Sequence, residues 1–407
     1  MRRLLIAALA ALSVAAPAQA AFALTWTSTP SAAAVEQAQR SRASLNGRVF
    51  DAVWNRVKNN YFDPTFHGLD WVSVGNQYRP QALAATSESE LYRVINQMLE
   101  QLDDAHAAAQ SPTLARYEAR RDEARPLLGL QILRQNERFV LEDVKPGSPA
   151  EQAQIELGWE VRSFDGRPYV PGQQLTAGMP VTVEFVDAIG TLHPVQITPQ
   201  LMAAPVRREA RWVAPGVLAL TFDEFNFGTT SWIDHALDKA PPGTRLILDI
   251  RGNRGGLVME ARSVLGCFLP KGQIWAQYRA RSGGQRPLKT GGGCTPFDGP
   301  LAVIVSGSSR SAAELVPGAL QEQGRAVIVG RHTAGAVLIA METRLPDGGR
   351  FNMSVEDVSL ASGTRLEHRG VSPNVEAFTT LADRRAGRDP AMDAAVAAVN
   401  AAPSRPG

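Results

Sequence analysis

The sequence predicts an α/β fold class, in a multidomain α+β arrangement, and three successive patterns support this prediction. Apolar residues recur with helical spacing in two stretches of residues 31–115, from about 31 to 60 and from about Ser87 to Leu102. Short apolar runs separated by turn residues fill residues 127–200, which is typical of a small β-rich domain. From 204 to 385, strand-like runs alternate with helical patterns as in α/β domains, and a C-terminal helix and tail follow over 386–407. A chain of 407 residues exceeds the size that one hydrophobic core usually serves, so several domains are expected.

The first residues have the pattern of a cleavable signal peptide. Arg2 and Arg3 precede an apolar run that ends at Ala16, and the small-residue tripeptide Ala18-Gln19-Ala20 follows. A membrane anchor is the weaker alternative, because the run is shorter than the roughly 20 residues that span a bilayer. We therefore expect residues 1–20 to be removed and the protein to be exported without a stable membrane anchor. It would be periplasmic in a double-membrane bacterium and secreted otherwise.

Two patterns predict the N-terminal helical segment. Val49, Val53 and Val57 recur at intervals of four residues, which indicates one buried helix face. Ser87 is followed three residues later by a glutamate, and this capping-box pattern predicts the start of another helix. A short loop after that helix carries His106.

The β-rich segment contains two stretches that resemble PDZ domains. Residues 144–155, VKPGSPAEQAQI, are similar to the PDZ segment that leads into a short helix. A second stretch, GLQI, is similar to the PDZ carboxylate-binding loop and comprises Gly129, Leu130, Gln131 and Ile132. The resemblance implies that backbone N–H groups of this loop bind the C-terminal carboxylate of a peptide, which adds to the sheet edge as a strand. A purely structural β-domain is the alternative.

A strand-to-helix turn rich in hydroxyl groups is the first candidate for catalytic chemistry. It lies in SGSSRSAAELVPGAL, residues 306–320, where a buried strand ends and a helix begins with Glu314 in its first turn. Such a turn can expose a serine Oγ at a helix N-terminus, where the N–H of the next residue stabilises a developing oxyanion. A plain serine N-cap is the common alternative.

A glycine-rich turn is the second candidate. It ends the stretch LDIRGNRGG, residues 248–256, which begins as a strand. Glycines allow backbone amides to approach a ligand closely, although a tight turn without a further role has the same composition. A phosphate-binding loop is excluded, because no Lys-Ser or Lys-Thr pair follows the glycines.

In this order, these motifs resemble the C-terminal processing (tail-specific) protease family, which includes the core of the tricorn protease. The shared stretches are FDAVWNRVKNNYFDP from Phe50, LDDAHA around His106, the PDZ-like insert, LDIRGNRGG, SRSAAEL around Ser311, AVIVGRHTAG from Ala326, LPDGGRF from Leu345 and GTRLEHRGVSPNVE from Gly363. The resemblance implies a crotonase-like α/β catalytic domain beside the helical segment and the PDZ-like domain. It also implies a serine protease that cleaves polypeptides through an acyl-enzyme intermediate.

The family pattern assigns the nucleophile and the oxyanion hole residue by residue. The serine three positions before the glutamate of the helix is Ser311, which would be the nucleophile. The oxyanion hole would combine the N–H of Ala312 with one N–H from the turn of Gly255 and Gly256. Two neighbouring serines compete for the nucleophile's role: Ser308 and Ser309.

The residue at the position of the general base differs from that of the Ser-Lys members of this family. In those members a lysine follows a Thr-x-Gly turn, but here Thr333, Ala334 and Gly335 are followed by Ala336. None of the five lysines lies after the nucleophile: Lys58, Lys145, Lys239, Lys271 and Lys289. A Ser-Lys dyad is therefore not expected.

Histidine is the usual base for a serine hydroxyl, and six histidines are present. His106 occupies the position of the catalytic histidine in the tricorn branch, and Glu367 matches that branch's orienting carboxylate. The hypothesis is that Ser311 attacks, His106 takes and returns the proton, and Glu367 holds the imidazole. His332 is the alternative base, whereas His368 would point away from the site if it shares a strand with Glu367. The structural alternatives are a packed loop residue for His106 and a surface ion pair for Glu367.

Composition narrows the partners and cofactors. The net charge of +2 gives no support to nucleic-acid binding. No HExxH motif, CxxC pair or Asp-rich calcium loop is present, so neither a metal nor another cofactor is expected. Cys267 and Cys294 are either a disulfide that closes a medium loop or two free thiols, and export favours the disulfide.

Two other functions remain open at this point. A non-enzymatic relative that binds peptides or an apolar ligand is favoured by the loss of the lysine at Ala336. A serine hydrolase of non-peptide esters is the other alternative. The joint presence of Ser311, His106 and Glu367 favours the protease, with polypeptide substrates as the expected partners.

Overall fold

The computed structural model describes residues 31–120, 123–135, 138–202 and 208–402. The predicted signal peptide lies outside these residues. Within them, helices and strands mix as the α/β class requires, so the predicted fold class is confirmed. No helix in the described ranges is both long and apolar enough to cross a membrane.

The N-terminal helices pack on one another and on a sheet that follows later in the chain. Their bounds are α1 Ala32–Asn60, α2 Trp71–Ala84, α3 Glu88–Glu100 and α4 Pro112–Ala119. Ser87 caps α3 by accepting the N–H of Glu90 at 3.1 Å, as its capping-box pattern predicts. The predicted stripe Val49, Val53 and Val57 is fully buried.

A β-domain occupies the middle of the chain. Its elements are β2 Arg125–Leu127, β3 Leu130–Gln135, β4 Arg138–Val144, α5 Pro149–Gln152, β5 Glu160–Phe164, β6 Arg167–Pro168, β7 Val181–Val186, β8 Leu192–Ile197 and β9 Gln200–Met202. The main sheet has the order β3-β4-β5-β7-β8, β6 pairs with β5, and β2 pairs with β9. Strand β3 is therefore an edge strand, which directly follows Gly129. The PDZ identity of this domain stays a prediction.

The last part of the chain forms two sheets. One has the order β10-β11-β12-β15-β16-β19, with strands Arg208–Ala214, Val217–Phe222, Arg245–Asp249, Leu301–Val305, Val327–Gly330 and Val375–Glu376. All of its neighbours from β11 to β19 are parallel. The other sheet contains β1 Ala108–Gln110, β13 Ile274–Ala280, β14 Gln285–Lys289, β17 Ile339–Arg344 and β18 Arg350–Leu360.

Helices cover both faces of the parallel sheet. The covering helices are α6 Thr229–Asp238, α7 Val258–Leu265, α8 Ala312–Glu322 and α10 Pro390–Ala401. A further short helix, α9 Leu381–Arg385, places Leu381 in the core of the β-domain. Residues of α7 and α8 share a core with Leu218, Leu220 and Leu248 on one face, while α10 packs on Val217 and Ile247 on the other. This alternation buries both faces of each strand, as expected for a parallel sheet.

The parallel arrangement brings the two candidate motifs to one sheet edge. Strands β12 and β15 are neighbours, with Asp249 opposite Ile304. Because both strands run in the same direction, the turn after β12 and the turn after β15 leave the sheet at the same edge. Cys267, just after α7, and Cys294, in the loop after β14, form a disulfide bond.

Candidate active site

Ser311 lies at a strained strand-to-helix turn. It is the N-cap of α8 and has φ 54° and ψ −121°, a backbone conformation that non-glycine residues rarely adopt. Its N–H donates to the carbonyl of Ala336 at 2.7 Å and to the carboxylate of Glu314 at 3.2 Å. These bonds hold the turn in a geometry that is typical of a nucleophile at a strand-to-helix elbow.

The two competing serines are both buried. Ser309 is fully buried, and its hydroxyl donates to the carbonyl of Ile250 at 2.9 Å. Ser308 is also buried, whereas Ser311 is partly exposed. Of these three serines, only Ser311 combines partial exposure with a positive φ.

Glu314 has a role that its position in the first turn of a helix did not predict. Its side chain is fully buried and accepts the hydroxyl of Thr333 at 2.5 Å, the N–H of Gly335 at 2.7 Å and the N–H of Ala336 at 2.8 Å. A buried carboxylate requires such donors to compensate for lost hydration. Glu314 thus fastens the loop that replaces the family's lysine turn onto the serine elbow.

The glycine turn lies directly against the serine. A Cβ at Gly255, whose φ is +98°, would lie 2.7 Å from Ser311 Cβ and 3.1 Å from the nitrogen of Ala312. The N–H of Gly255 donates to Asn253 Oδ1 at 2.8 Å, and its carbonyl accepts the N–H of Phe225 at 2.8 Å. The C=O and N–H of one trans peptide point in opposite directions, so the N–H of Gly256 points away from Phe225.

His106 lies on the loop after α3, and a buried aspartate holds it there. Asp104 Oδ1 accepts the backbone N–H of His106 at 2.8 Å and the hydroxyl of Ser354 at 2.9 Å. The same oxygen is 3.8 Å from His106 Nδ1, and the histidine side chain is only 15% exposed. Strand β1 continues this loop and pairs with β18, which ties it to the catalytic part of the chain.

Burial alone would raise the pKa of Asp104. The interactions with His106 and the hydroxyl of Ser354 outweigh burial and hold this pKa below its ordinary value. Asp104 is therefore an ionised carboxylate beside the imidazole at neutral pH.

Glu367 is buried, at 6% exposure, on the other side of the same cluster. Its Oε2 accepts the N–H groups of Val337 at 2.7 Å and Leu338 at 3.2 Å. Burial raises the pKa of Glu367, and the charge of Asp104 acts in the same direction, while the Val337 bond and His106 oppose it. The segment 336–338 therefore joins the serine, through Ala336, to this carboxylate.

The predicted site groups lie in one region, but not all of them are in direct contact. They are Ser311, the turn of Gly255 and Gly256, His106 and Glu367. Within the described residues, no hydrogen bond joins Ser311 Oγ to the ring of His106, and no ion pair within 4.0 Å joins that ring to Glu367. Four buried atoms of the cluster also have no hydrogen-bond partner in the described ranges: Tyr61 Oη, Asp104 Oδ2, His106 Nδ1 and Glu367 Oε1. Burial raises the pKa of Tyr61, and the charge of Asp104 raises it further.

The other histidines have different surroundings. His332 is exposed, and its Nδ1 lies 3.0 Å from the carbonyl of Thr333. His368 is in a turn rather than on a strand, with Nε2 4.0 Å from Glu367 Oε1 and a side chain that is 55% exposed. Of these three, only His106 interacts with both buried carboxylates, Asp104 and Glu367.

The lysines give no clear alternative base. Burial, and then the charge of Arg125, lower the pKa of Lys145. Lys145 follows β4 in the β-domain. Ala336, at the position of the family's lysine, contributes only its backbone groups to the contacts described above.

Two family models match the chain. The model for peptidase family S41 matches residues 216–377, and the model for the tricorn protease C1 domain matches residues 48–100. A carboxyl-terminal-processing protease of Synechocystis sp. is 28% identical over 342 residues, which cover 79% of this chain and 78% of that protein. A putative tricorn protease homolog 2 of Streptomyces coelicolor is 26% identical over 86% of this chain, but the match covers only 32% of that longer protein.

Solved structures have the same fold. The photosystem II D1 C-terminal processing protease superposes with a TM-score of 0.63 at 24% identity, over 81% of this chain and 92% of that one. Mature CPAF superposes with a TM-score of 0.56 at 14% identity, over 85% and 94% of the two chains.

Fold, matched models and relatives together define a serine-type peptidase. The chain belongs to the carboxyl-terminal processing protease family, peptidase family S41. Membership in this family implies polypeptide substrates.

Proposed function

We propose that this peptidase is exported and cleaves polypeptides with Ser311 as nucleophile, His106 as base and Glu367 as a carboxylate that stabilises the charged imidazole. The observation that carries the proposal is the contact between Gly255 and Ser311, where a Cβ would lie only 2.7 Å from the serine Cβ. Backbone N–H groups beside a strained, accessible serine are what an acyl-transfer site requires.

The chemistry proceeds in two halves. Ser311 Oγ attacks the scissile carbonyl while His106 takes the hydroxyl proton, and the proton then passes to the leaving amine as the C–N bond breaks. Water attacks the acyl-enzyme in the second half, His106 takes its proton, and Ser311 is released as the hydroxyl. The N–H groups of Ala312 and Gly256 are the donors for the oxyanion, because the N–H of Gly255 already donates to Asn253.

In this proposal, His106 must move slightly before its ring can accept the proton of Ser311. Catalytic hydrogen bonds are often long or absent before substrate binds, and the unpartnered Nδ1 of His106 is consistent with such a state. Asp104 Oδ1 accepts the backbone N–H of His106 and lies 3.8 Å from its Nδ1. Glu367 is held by the N–H of Val337, in the segment that contacts Ser311. In this proposal, Asp104 and Glu367 compensate the positive charge that the imidazole carries during attack.

The β-domain is the proposed site for the substrate's C-terminus. Gly129, with φ +89°, precedes edge strand β3, and a Cβ at this position would overlap the side chain of Ser148. The glycine therefore lets the loop lie closely against the start of α5. An open strand edge next to such a loop suits a peptide that adds as a strand and directs its carboxylate at Gly129–Ile132.

Fluorophosphonate labelling of the purified mature protein tests the proposal. We expect labelling of the parent, none of Ser311→Ala, and a large loss in His106→Ala. Two matched controls, His332→Ala and Lys145→Ala, are expected to label at the parent rate. A parent protein that is never labelled would refute the catalytic assignment and favour a peptide-binding relative, and loss of labelling in a control would move the base to that residue.

Substrate class and export need separate measurements. Hydrolysis of peptides with free C-termini but not of matched C-terminal amides would support the β-domain site, whereas turnover of simple esters alone would favour a non-peptide hydrolase. Mass spectrometry of the protein from culture fractions should give an N-terminus after residue 20 in the periplasm or medium. An intact N-terminus inside the cell would refute export.

A further inference from the structure

One carboxylate of the β-domain reaches both catalytic turns. Glu142 lies on β4, and its Oε1 accepts a hydrogen bond from Arg310 Nη2 at 3.1 Å. Its Oε2 lies 3.7 Å from Arg254 Nη2. Arg310 directly precedes Ser311, and Arg254 directly precedes Gly255. Both oxygens of one side chain therefore face residues that are next to the proposed nucleophile and the proposed oxyanion turn.

Glu142 lies at a β-bulge, which affects the direction of its side chain toward Arg310 and Arg254. In the pairing of β3 with β4, Gln131 is opposite Asp143 and Ile132 is opposite Leu141, so Glu142 has no partner on β3. A residue at such a β-bulge points in a direction that a regular strand would not allow, and bulges often occur beside functional sites. The bulge accounts for a side chain of the β-domain sheet that reaches the neighbouring domain.

The two turns are also joined to each other. The backbone N–H of Arg310 donates to the carbonyl of Asn253 at 3.3 Å, and a Cβ at Gly255 would lie 2.9 Å from the carbonyl of Arg310. The Glu142 and Arg310 side chains are 13% and 19% exposed, whereas Arg254 is 52% exposed. Solvent screens the Arg254 pair more strongly, so the Arg310 contact is the stronger of the two.

We propose that Glu142 is a positioning residue, which sets the relative placement of the serine elbow and the oxyanion turn through Arg310 and Arg254. The inference rests on the proposed roles of Ser311 and of the glycine turn. Glu142 does not touch substrate in this scheme. The Glu142 carboxylate neutralises and anchors the guanidinium of Arg310, next to the nucleophile. Loss of this carboxylate lets the backbone of Arg310 shift relative to Gly255.

A neighbouring residue provides a matched control. Asp143 is on the same strand, has the same charge, and also forms an ion pair with the later part of the chain, at 2.6 Å from Arg384 Nη2. Arg384 belongs to α9, which is not part of either catalytic turn. Asp143→Asn therefore weakens the attachment of the β-domain without touching Arg310 or Arg254.

The experiment compares Glu142→Gln with Asp143→Asn by the second-order rate constant of fluorophosphonate labelling and by kcat and KM for a peptide. We expect Glu142→Gln to lower the labelling rate and kcat about tenfold to a hundredfold with little change in KM, the size expected for a misplacement of roughly 1 Å. Asp143→Asn should stay within about twofold of the parent, since independent contacts act separately. Equal losses in both variants, or no loss in Glu142→Gln, overturn the inference.

A double-mutant cycle tests the route. If Glu142 acts through Arg310, then Glu142→Gln should have little further effect in an Arg310→Gln background, and additive losses contradict this route. If Glu142→Gln does not fold, Glu142→Asp replaces it. This variant keeps the negative charge but moves it away from Arg310 by the length of one methylene. Labelling of Glu142→Asp at the parent rate would also overturn the inference. Absence of labelling in the parent is a distinct result, which refutes the proposed function itself.

Discussion

Replacement of Gly255 by alanine should remove most activity while leaving the fold intact. The added Cβ would lie 2.7 Å from Ser311 Cβ and 2.9 Å from the carbonyl of Arg310. Non-bonded carbons pack at about 3.5–4.0 Å, so the serine or the glycine turn must move by about 1 Å. The φ of +98° adds strain of roughly 1–3 kcal/mol for a residue with a side chain.

The expected loss follows from this displacement. A shift of about 1 Å in a reacting group costs roughly a hundredfold in rate, and loss of one oxyanion donor costs about a hundredfold to a thousandfold. We therefore expect the fluorophosphonate labelling rate and kcat of Gly255→Ala to fall at least a hundredfold, with a modest decrease in thermal unfolding midpoint.

Gly252 in the same loop is the control for this prediction. A Cβ there meets nothing within 4 Å, so Gly252→Ala should keep the parent rate. Gly255→Ala with parent-like labelling would show that the contact between the glycine turn and the serine does not form the reaction centre.

Other variants test the buried carboxylates and the disulfide. The pKa of Glu367 is raised in the folded state, so the parent should lose stability as pH rises from the ordinary glutamate pKa through the folded-state value. Glu367→Gln should lack this loss in thermal unfolding measured against pH. The pKa of Asp104 is lowered, so the stability that this ionised carboxylate contributes is present above the ordinary aspartate pKa and disappears as pH falls through the folded-state value. The Asp104→Asn variant should therefore unfold at a lower temperature than the parent at neutral pH, and its labelling should be slower. Glu314→Gln should lower the free energy of unfolding by about 2–4 kcal/mol and abolish labelling, because it disturbs at least three hydrogen bonds of a fully buried group. Cys267→Ser with Cys294→Ser should cost roughly 3–4 kcal/mol, for a loop with a sequence separation of 27, and leave the labelling rate of the folded protein unchanged.

The predictions for Glu367, Glu314 and the disulfide each have a result that contradicts them. Identical stability profiles of the parent and Glu367→Gln between about pH 4 and 8 would argue against an unusual protonation of that carboxylate. Parent-like unfolding of Glu314→Gln would mean that the loop at 333–336 is held by other contacts. Slower labelling in the double cysteine variant, under conditions where it is fully folded, would place the disulfide loop in the reaction.

Local patterns predicted much of the architecture. The start of α3 at Ser87 and the valine stripe of α1 follow from short-range rules, and both are confirmed, although the Glu90 side chain accepts the N–H of Thr86 and not that of Ser87. The proximity of the serine elbow and the glycine turn also follows from the parallel order of neighbouring strands. These features depend on residues close together in sequence or on a single topological rule.

The contacts that position the site could not be predicted in this way. Asp104 holds the histidine loop with the help of Ser354, which is 250 residues further along the chain. Glu142 reaches Arg310 across 168 residues, and the direction of its side chain depends on a bulge that no composition pattern marks. Glu314 looks like an ordinary first-turn carboxylate until its loop partners are known. The expectation that His368 points away from Glu367 assumed a strand, whereas the two residues lie in a turn.

The short segment 336–338 has a consequence for how this site tolerates change. Its contacts with Ser311, Glu314 and Glu367 all use main-chain atoms, so they do not depend on which side chains stand there. Buried side chains of similar volume should therefore be interchangeable at these positions in a saturation library, whereas a single-residue insertion or deletion should abolish activity because it moves every partner out of phase. A lineage could thus exchange the side chain at Ala336, and with it the chemistry of its base, without rebuilding the scaffold that holds the nucleophile.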